Sequence, residues 1–281
     1  MSVSQVSDTA SSAKAAGKAA GNDVANSRAF EVLSRAGFVA RGAVYAIIGV
    51  LAFRLAIGQG GKITNQQGAF HTVAHQSFGH VLLVLLAIGL GGYSFWRLVR
   101  AGLGHGPEGS DSGFDRVAAL ASGLAYGVLC FIAIEVLMGS ASGSGNTHKT
   151  TGGVLGWPGG TWIVGIAGVV MIGVALYQGY RGVTQSFLKD SKTEAMSREM
   201  KIWIARVGTV GYLARMVVFG LVGIFLVKAA VDYAPRAAVG LDGALAKILH
   251  QPYGSYLLGV VAAGLIAFAI YSLSDARYRR I

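Results

Sequence analysis

Six long apolar runs restrict the fold of this chain more than any other feature. Each approaches the roughly 20 residues that an α-helix needs to cross about 30 Å of hydrocarbon. Unpaired backbone groups are too costly in lipid and the runs lack the alternation of barrel strands, so they predict membrane-spanning helices. Hydrophobic residues make up 53% of the sequence and charged residues 13%, which excludes an ordinary soluble domain. The predicted spans cover residues 37–57, 81–101, 117–139, 161–181, 208–231 and 255–274.

Glycine is abundant, with 42 residues, and it recurs at helical spacing inside these runs. In lipid, helices associate by close backbone approach at small residues. The glycines therefore predict helix packing, and no preceding strand or matching spacing supports a phosphate-binding loop. The residues that we expect to form packing faces are Gly42, Ala46, Gly49, Gly123, Gly127 and Gly223.

The net charge of +11 is distributed unevenly among the segments between the spans. Sixteen lysines and arginines fall in the terminal segments and in the loops on the same side. The opposite loops hold only Lys62, Lys149, Arg236 and Lys247. The positive-inside rule therefore predicts that both termini lie in the cytoplasm. Basic residues beside anionic head groups need no further partner, so we expect contact with membrane lipids and no nucleic-acid binding.

Residues 1–33 lack the apolar core of a signal peptide, and they predict a disordered cytoplasmic tail. Cys130 is the single cysteine, and no CxxC or paired Cys/His zinc pattern occurs. Three histidines, His71, His75 and His80, could supply imidazole ligands, but no acidic or sulfur ligand is close in sequence. We therefore expect no metal and no cofactor.

The chain repeats itself three times, in units of two spans each. Residues 34–101 align without a gap on 115–182 after a shift of 81. They align on 208–276 after a shift of 174, which becomes 175 beyond one loop insertion. Because each unit holds two spans, all three hairpins enter the membrane from the same side. The predicted fold is an all-α, polytopic membrane protein: six transmembrane helices arranged as three parallel helical-hairpin repeats with pseudo-threefold symmetry.

Three segments carry a resemblance to a known family. They are GFVARGAVYAIIGVLA at 37–52, GYLARMVVFGLVGIFL at 211–226, and the stretch 243–280, which begins GALAKILHQPYGSYLLG. The sequence resembles the bacterial family catalogued as domain of unknown function 1206, in which a two-span unit of this length occurs in up to three tandem copies. The resemblance covers about 34–280 and implies a membrane location and this fold, without an assigned activity or catalytic residues. The middle copy departs most, since Ser122 replaces an arginine.

The repeat alignment brings Arg54, Glu135 and Lys228 to one equivalent position, about one turn from the outer ends of their helices. Charged residues within a span usually face protein or water. These three therefore form a candidate charged ring that would line an outward-facing cavity. The structural alternative has the two bases snorkelling to head groups while Glu135 pairs locally.

Arg41 and Arg215 also occupy equivalent positions, roughly a turn inside the cytoplasmic ends of their helices. Long basic side chains at this depth can reach lipid phosphates. We expect both to be inner-leaflet anchors, with contacts to the helix ends of a neighbouring hairpin as the alternative.

No catalytic constellation accompanies these features. The spans contain no paired aspartates, no GxSxG motif occurs, and Glu135 has no histidine in its own span. We therefore expect a non-enzymatic protein of the bacterial cytoplasmic membrane, with a structural, accessory or scaffolding role toward an unidentified membrane protein. The alternative is a small transporter or channel along the pseudo-threefold axis. The absence of proline from the first, third and fifth spans weighs against that alternative.

Overall fold

A computed structural model describes residues 28–61, 63–75, 79–103, 113–139 and 147–279. Within these ranges the chain is helical apart from turns and one isolated bridge between Ser191 and Arg279. Among the described residues, six helices are long and apolar enough to cross a membrane, which confirms the predicted number of spans. They are α1 (Arg28–Ala56), α3 (Gly79–Leu103), α4 (Gly113–Leu137), α6 (Gly160–Thr184), α7 (Arg198–Val231) and α9 (Gly254–Tyr278).

Each repeat places a short helix between its two long ones. The short helices are α2 (Gln66–Ala74), α5 (Thr147–Leu155) and α8 (Leu241–Leu249). The end of the bundle that carries them is called the hairpin end here. The opposite end, where α1 begins and α9 ends, is called the base. Since every repeat leaves and returns to the base, the three hairpins run in parallel.

The predicted N-terminal tail differs from the structure at its boundary. Residues 1–27 lie outside the described residues, whereas 28–33 form the first turns of α1 and not part of a tail. Arg35 explains the longer helix, because it binds Glu31 one turn earlier, with Nη2 2.6 Å from Oε1. Its Nη1 also donates to the carbonyl oxygens of Ala276 and Arg277 at 2.5 and 2.8 Å. These contacts fix the start of α1 to the end of α9.

The short helices of the first and third repeats end in the same way. His75 and His250 are the C-cap residues, each with φ −82°. Each donates its backbone N–H to the carbonyl oxygen four residues earlier, on His71 and Ala246 respectively. Equal backbone geometry at aligned positions supports the repeat alignment and gives both histidines a role in ending a helix.

The six long helices form a ring in which each repeat packs against the next. The second long helix of one repeat lies against the first of the following one, so α3 packs on α4, α6 on α7 and α9 on α1. Within the first and third repeats, α1 also packs on α3 and α7 on α9. This cyclic order is the pseudo-threefold arrangement that the sequence predicts.

The ring is open at one place, between α4 and α6 of the middle repeat. These two helices make no packing contact comparable to α1 with α3 or α7 with α9. Only 17% of the span in α4 and 22% of the span in α6 is buried, against 50–56% in α1, α3 and α9. The opening is called the α4/α6 gap below.

Glycine lets the helices approach closely at all three inter-repeat interfaces, and the repeat alignment relates these contacts to one another. At each interface a glycine faces a larger side chain. In the first two pairs the glycine is on the first long helix of a repeat, and in the third pair it is on the second. The pairs are Gly42 with Leu273, Gly123 with Leu98, and Gly179 with Met216. A Cβ atom added at Gly42 or Gly123 would lie 3.3 or 2.9 Å from the facing leucine. Each interface therefore pairs one glycine with one large apolar side chain, so the volume of the two residues together is similar, whichever helix carries the larger one.

A second set of equivalent contacts lies seven residues further along the first long helices. Its pairs are Gly49 with Ile266, Gly223 with Ile172, and Cys130 with Gly91. In the last pair the larger residue is again on the opposite helix from the other two. Cys130 Sγ also lies 3.2 Å from the Ala87 carbonyl oxygen, to which it donates. Gly127 lies beside Ser94, and Ala46 is half-buried against the main apolar core.

Candidate functional site

The three residues of the expected charged ring do not come together in the structure. Arg54 is exposed and donates to the Gln59 carbonyl oxygen of its own loop at 3.4 Å. Lys228 is exposed, and Glu135 is half-buried on α4. No hydrogen bond or ion pair among the described side chains joins the three. The structure therefore does not bring the three side chains into contact with one another, and a charged ring that lines an outward-facing cavity stays a prediction.

Arg41 is not a lipid anchor, because its side chain is buried inside the bundle with 7% exposure. Its guanidinium donates to three residues on two other helices. Nη2 lies 2.8 Å from Asp275 Oδ2, Nε lies 2.9 Å from Ser272 Oγ, and Nη1 lies 3.3 Å from Tyr93 Oη. The anchoring interpretation failed because α9 extends past the predicted span and brings Asp275 into reach.

Arg215 likewise turns into the protein and not toward lipid. Its guanidinium carbon lies 4.3 Å from the centre of the Phe268 ring, 4.9 Å from Phe219 and 5.3 Å from Tyr45. With the Gln178 amide oriented to accept, its oxygen lies 2.8 and 3.2 Å from Nη2 and Nη1 of Arg215. The Nε atom is buried and has no hydrogen-bond partner among the described residues. Aromatic faces and one neutral amide therefore surround this cation.

The two arginines make the same kind of contact across two equivalent interfaces. Arg41 binds Ser272, and Arg215 binds Gln178. The shifts that align the repeats place Ser272 and Gln178 at one position, which in the first repeat is Arg97. The position of Arg41 and Arg215 in the middle repeat is Ser122. At the α3/α4 interface the arginine, Arg97, is therefore on the second long helix of its repeat, and the small polar residue, Ser122, is on the first.

Arg97 lies on the side of α3 that faces α4, while its guanidinium contacts residues of α3. Gly123 follows Ser122 in the chain, and a Cβ atom added at Gly123 would lie 3.2 Å from the Cβ of Arg97. The Arg97 guanidinium donates to Tyr93 Oη from Nε at 3.0 Å and from Nη2 at 2.8 Å. It also lies 5.0 Å from the centre of the Trp96 ring. At this pair of aligned positions each of the three interfaces therefore holds one arginine, and we call Arg41, Arg97 and Arg215 the interface arginines.

Sequence reasoning missed Arg97 because it counted this residue only as a base on the cytoplasmic side. The repeat alignment contained the signal: where Ser122 removes an arginine from one helix, Arg97 adds one at the facing position. Comparing facing positions together would have identified the third interface arginine.

A second charged network closes the base. Asp275 accepts from Arg41 and lies 3.8 Å from Arg279 Nη1. Arg279 Nη2 lies 3.0 Å from Asp190 Oδ2, which also pairs with Arg181. Asp190 is held there by the 3₁₀ segment Ser186–Asp190, between α6 and α7. The network joins α1, α6, α9 and the connection between the second and third repeats.

The interface arginines differ in how their charge is compensated. Arg41 has the carboxylate of Asp275. Arg97 and Arg215 have no carboxylate within ion-pairing distance among the described residues, and their partners are a phenol and an amide. Both are half-buried, and they lie at the two interfaces on either side of the α4/α6 gap. Planar guanidinium groups of this kind bind carboxylates and phosphates through two parallel hydrogen bonds.

Comparison with known proteins agrees with the repeat structure. The family model described as Domain of Unknown Function (DUF1206) matches three times, at residues 36–104, 117–185 and 210–279. The chain is 32% identical to the uncharacterized protein YxxB of Bacillus subtilis (strain 168) over 251 residues, which cover 88% of this chain and 90% of that protein. No solved structure matches the chain. With three matches spread over most of its length, this multi-pass membrane protein belongs to the family of Domain of Unknown Function 1206.

Proposed function

We propose that this chain is a non-enzymatic protein of the bacterial cytoplasmic membrane that acts as a rigid structural or accessory component beside another membrane protein. One observation carries the proposal. The buried guanidinium of Arg41 binds Tyr93, Ser272 and Asp275 at once, and so connects α1 with α3 and α9 across a repeat boundary. Separating these helices would leave a charged group without partners in a low-dielectric interior, which is strongly unfavourable.

The glycine contacts support the same proposal. An added Cβ at Gly211 would lie 2.6–2.8 Å from atoms of Phe268, and one at Gly49 would lie 2.8 Å from Ile266. Helices in such contact cannot slide past each other without losing many dispersion contacts together. The α7/α9 and α1/α9 interfaces are therefore closely packed, which favours a rigid frame.

The alternative function, a small transporter or channel with a charged outward-facing cavity, has less support. It depended on Arg54, Glu135 and Lys228 acting together, and these side chains make no contact with one another among the described residues. The buried charges at the base are instead compensated within the protein by Asp190 and Asp275.

A cytoplasmic orientation of both termini is part of the proposal. Among the described residues the base carries more basic side chains than the hairpin end, and those at its helix ends include Arg28, Arg181, Arg198 and Arg277. The positive-inside rule supports placing the base in the cytoplasm. Membrane lipids would then be the surroundings of the bundle, with an unidentified membrane protein as its partner and no nucleic-acid contact.

Distances between spin labels test the rigid frame directly. In a Cys130→Ala background, we would label Arg54→Cys with Lys228→Cys at the hairpin end, and Thr184→Cys with Arg277→Cys at the base. All four positions are exposed. A rigid frame gives one narrow distance distribution for each pair in lipid nanodiscs. Two populations that change in opposite directions at the two ends would indicate alternating access and would overturn the proposal.

The accessory role needs a separate test, because a rigid protein could also act alone. Purification in mild detergent is expected to recover a second membrane protein in fixed stoichiometry, and chemical crosslinking in intact cells should capture the same protein. Recovery of the chain by itself under both conditions would contradict an accessory role while leaving the rigid frame untouched.

A further inference from the structure

We propose that the interface arginines beside the α4/α6 gap, Arg97 and Arg215, bind the phosphodiester head group of an anionic lipid that enters between α4 and α6. This inference goes beyond the structural role proposed above and does not depend on it. It starts from an imbalance of charge: three interface arginines surround the pseudo-threefold axis, and Asp275 is the one described carboxylate that pairs with any of them.

The excess of positive charge is concentrated where the interface arginines share contacts. Arg41 and Arg97 both donate to the same oxygen, Tyr93 Oη, so two like charges lie on one neutral acceptor. Arg41 and Arg215 both stack on the Phe268 ring. Cations this close repel each other in a membrane interior, where solvent screening is weak. An anion near them would remove this repulsion.

The arrangement of the uncompensated arginines points to the gap. Arg41, at the interface opposite the gap, is buried and has a carboxylate. Arg97 and Arg215, at the two interfaces that border the gap, are half-buried and have none among the described residues. A ligand that entered between α4 and α6 would therefore have a cation without a negative partner at each of the two flanking interfaces.

Hydrogen-bonding capacity in the same place is also incomplete. Arg215 Nε is buried with no acceptor among the described residues. Gln178 on α6 and the phenol of Tyr93 supply the present contacts of the two cations, and both are neutral. A phosphodiester offers two charged oxygens that match the paired donors of a guanidinium.

The walls of the gap fit a lipid better than a free ion in water. Apolar side chains on the exposed faces of its two helices include Leu124, Val128 and Phe131 on α4, and Val170 and Val174 on α6. Since α4 and α6 are long enough to span the membrane, the gap opens sideways into hydrocarbon. Acyl chains can fill such an opening while the head group remains near the arginines.

Native mass spectrometry of the full chain tests this site. The protein is reconstituted with phosphatidylglycerol or with phosphatidylcholine, and retained lipid is counted after gentle detergent exchange. We expect retention of phosphatidylglycerol over phosphatidylcholine, and about tenfold weaker retention in Arg97→Gln and in Arg215→Gln. Arg54→Gln removes an equal charge from an exposed position and should leave retention unchanged. Arg215→Lys should restore part of the loss because it keeps the charge.

Thermal unfolding shows whether the variants fold and which anion is bound. In phosphatidylcholine alone, Arg215→Gln should unfold at the same temperature as the wild type or higher, since it removes a repelling charge. Adding phosphatidylglycerol should stabilise the wild type but not this variant. Stabilisation by inorganic phosphate, without an effect of phosphatidylglycerol, would show that the site binds an anion but would contradict binding of a lipid. Equal retention and equal stabilisation in all variants would overturn the site itself.

Discussion

Arg41 and Asp275 form an ion pair buried between α1 and α9, with Nη2 and Oδ2 2.8 Å apart and side-chain exposures of 8% and 1%. The two residues are 234 positions apart in sequence and belong to the first and third repeats. Their pairing closes the ring of repeats at the interface opposite the α4/α6 gap. Much of the stability of the bundle should therefore depend on keeping both members.

Asp275→Asn should destabilise the protein more than Arg54→Gln, because it leaves the buried guanidinium of Arg41 without a negative partner. Loss of one member of a buried pair typically costs about 3–5 kcal/mol of unfolding free energy. The measurement is chemical unfolding in mild detergent for Arg41→Gln, Asp275→Asn and the double variant. A double variant as unstable as the sum of the two singles would mean that the residues do not interact.

The exchange of glycine between interfaces predicts a rescue by swapping. Gly42→Met places a long side chain against Leu273 and should lower stability by about 1–3 kcal/mol. Combining it with Leu273→Gly recreates the pair formed by Met216 and Gly179, and should recover part of the loss. Gly173→Met is the matched control, since a Cβ there meets nothing within 4 Å. Thermal unfolding that shows no recovery in the double variant would argue against equivalent interfaces.

The connection between the second and third repeats is predicted to be a fixed part of the base. Phe187 is fully buried and stacks on Tyr212 with ring centres 5.0 Å apart, and its edge meets Tyr271. Phe187→Ala should destabilise the protein by about 3–5 kcal/mol, as for other large core truncations. It should also speed cleavage by added protease between residues 185 and 197. Unchanged cleavage and stability would show that this segment is not held by its aromatic side chain.

Reporter fusions test the proposed orientation. Alkaline phosphatase is active only outside the cytoplasm, so a fusion after Gly61 at the hairpin end should be active and a fusion after Ile281 inactive. A fluorescent protein fused after Ile281 should be bright. The reverse pattern would place the base outside, and the arginine-rich network would then face the outer leaflet.

The sequence was sufficient to predict the spans and their cyclic order, because long apolar runs and repeated glycines reflect local requirements of a helix in lipid. The locations and partners of the charged side chains were harder to predict. Asp275 lies one residue beyond the predicted sixth span, whereas α9 continues to Tyr278 and buries it. Arg41 has no evident acidic partner within the predicted spans, so contact with lipid was favoured over contact with the helix ends of a neighbouring hairpin.

The α4/α6 gap could not be predicted from the sequence. An apolar helix in a membrane has the same composition whether its faces meet lipid or protein, since lipid tails are as apolar as leucine. The apolar runs of α4 and α6 therefore look like those of α1 and α9, although far less of them is buried. Arg97 was missed for a related reason, because the role of this residue depends on Ser122 of the next repeat.

Disulfide crosslinking across the three equivalent interfaces tests the central claim most directly. In a Cys130→Ala background, three double-cysteine variants are made, one for each interface. The two cysteines replace Gly42 and Leu273, Leu98 and Gly123, or Gly179 and Met216. Peptide mass spectrometry identifies the crosslinked products. The account predicts that all three pairs crosslink in membranes, with similar rates. Failure of any one pair, while the protein remains folded, would contradict a ring of three equivalently packed repeats.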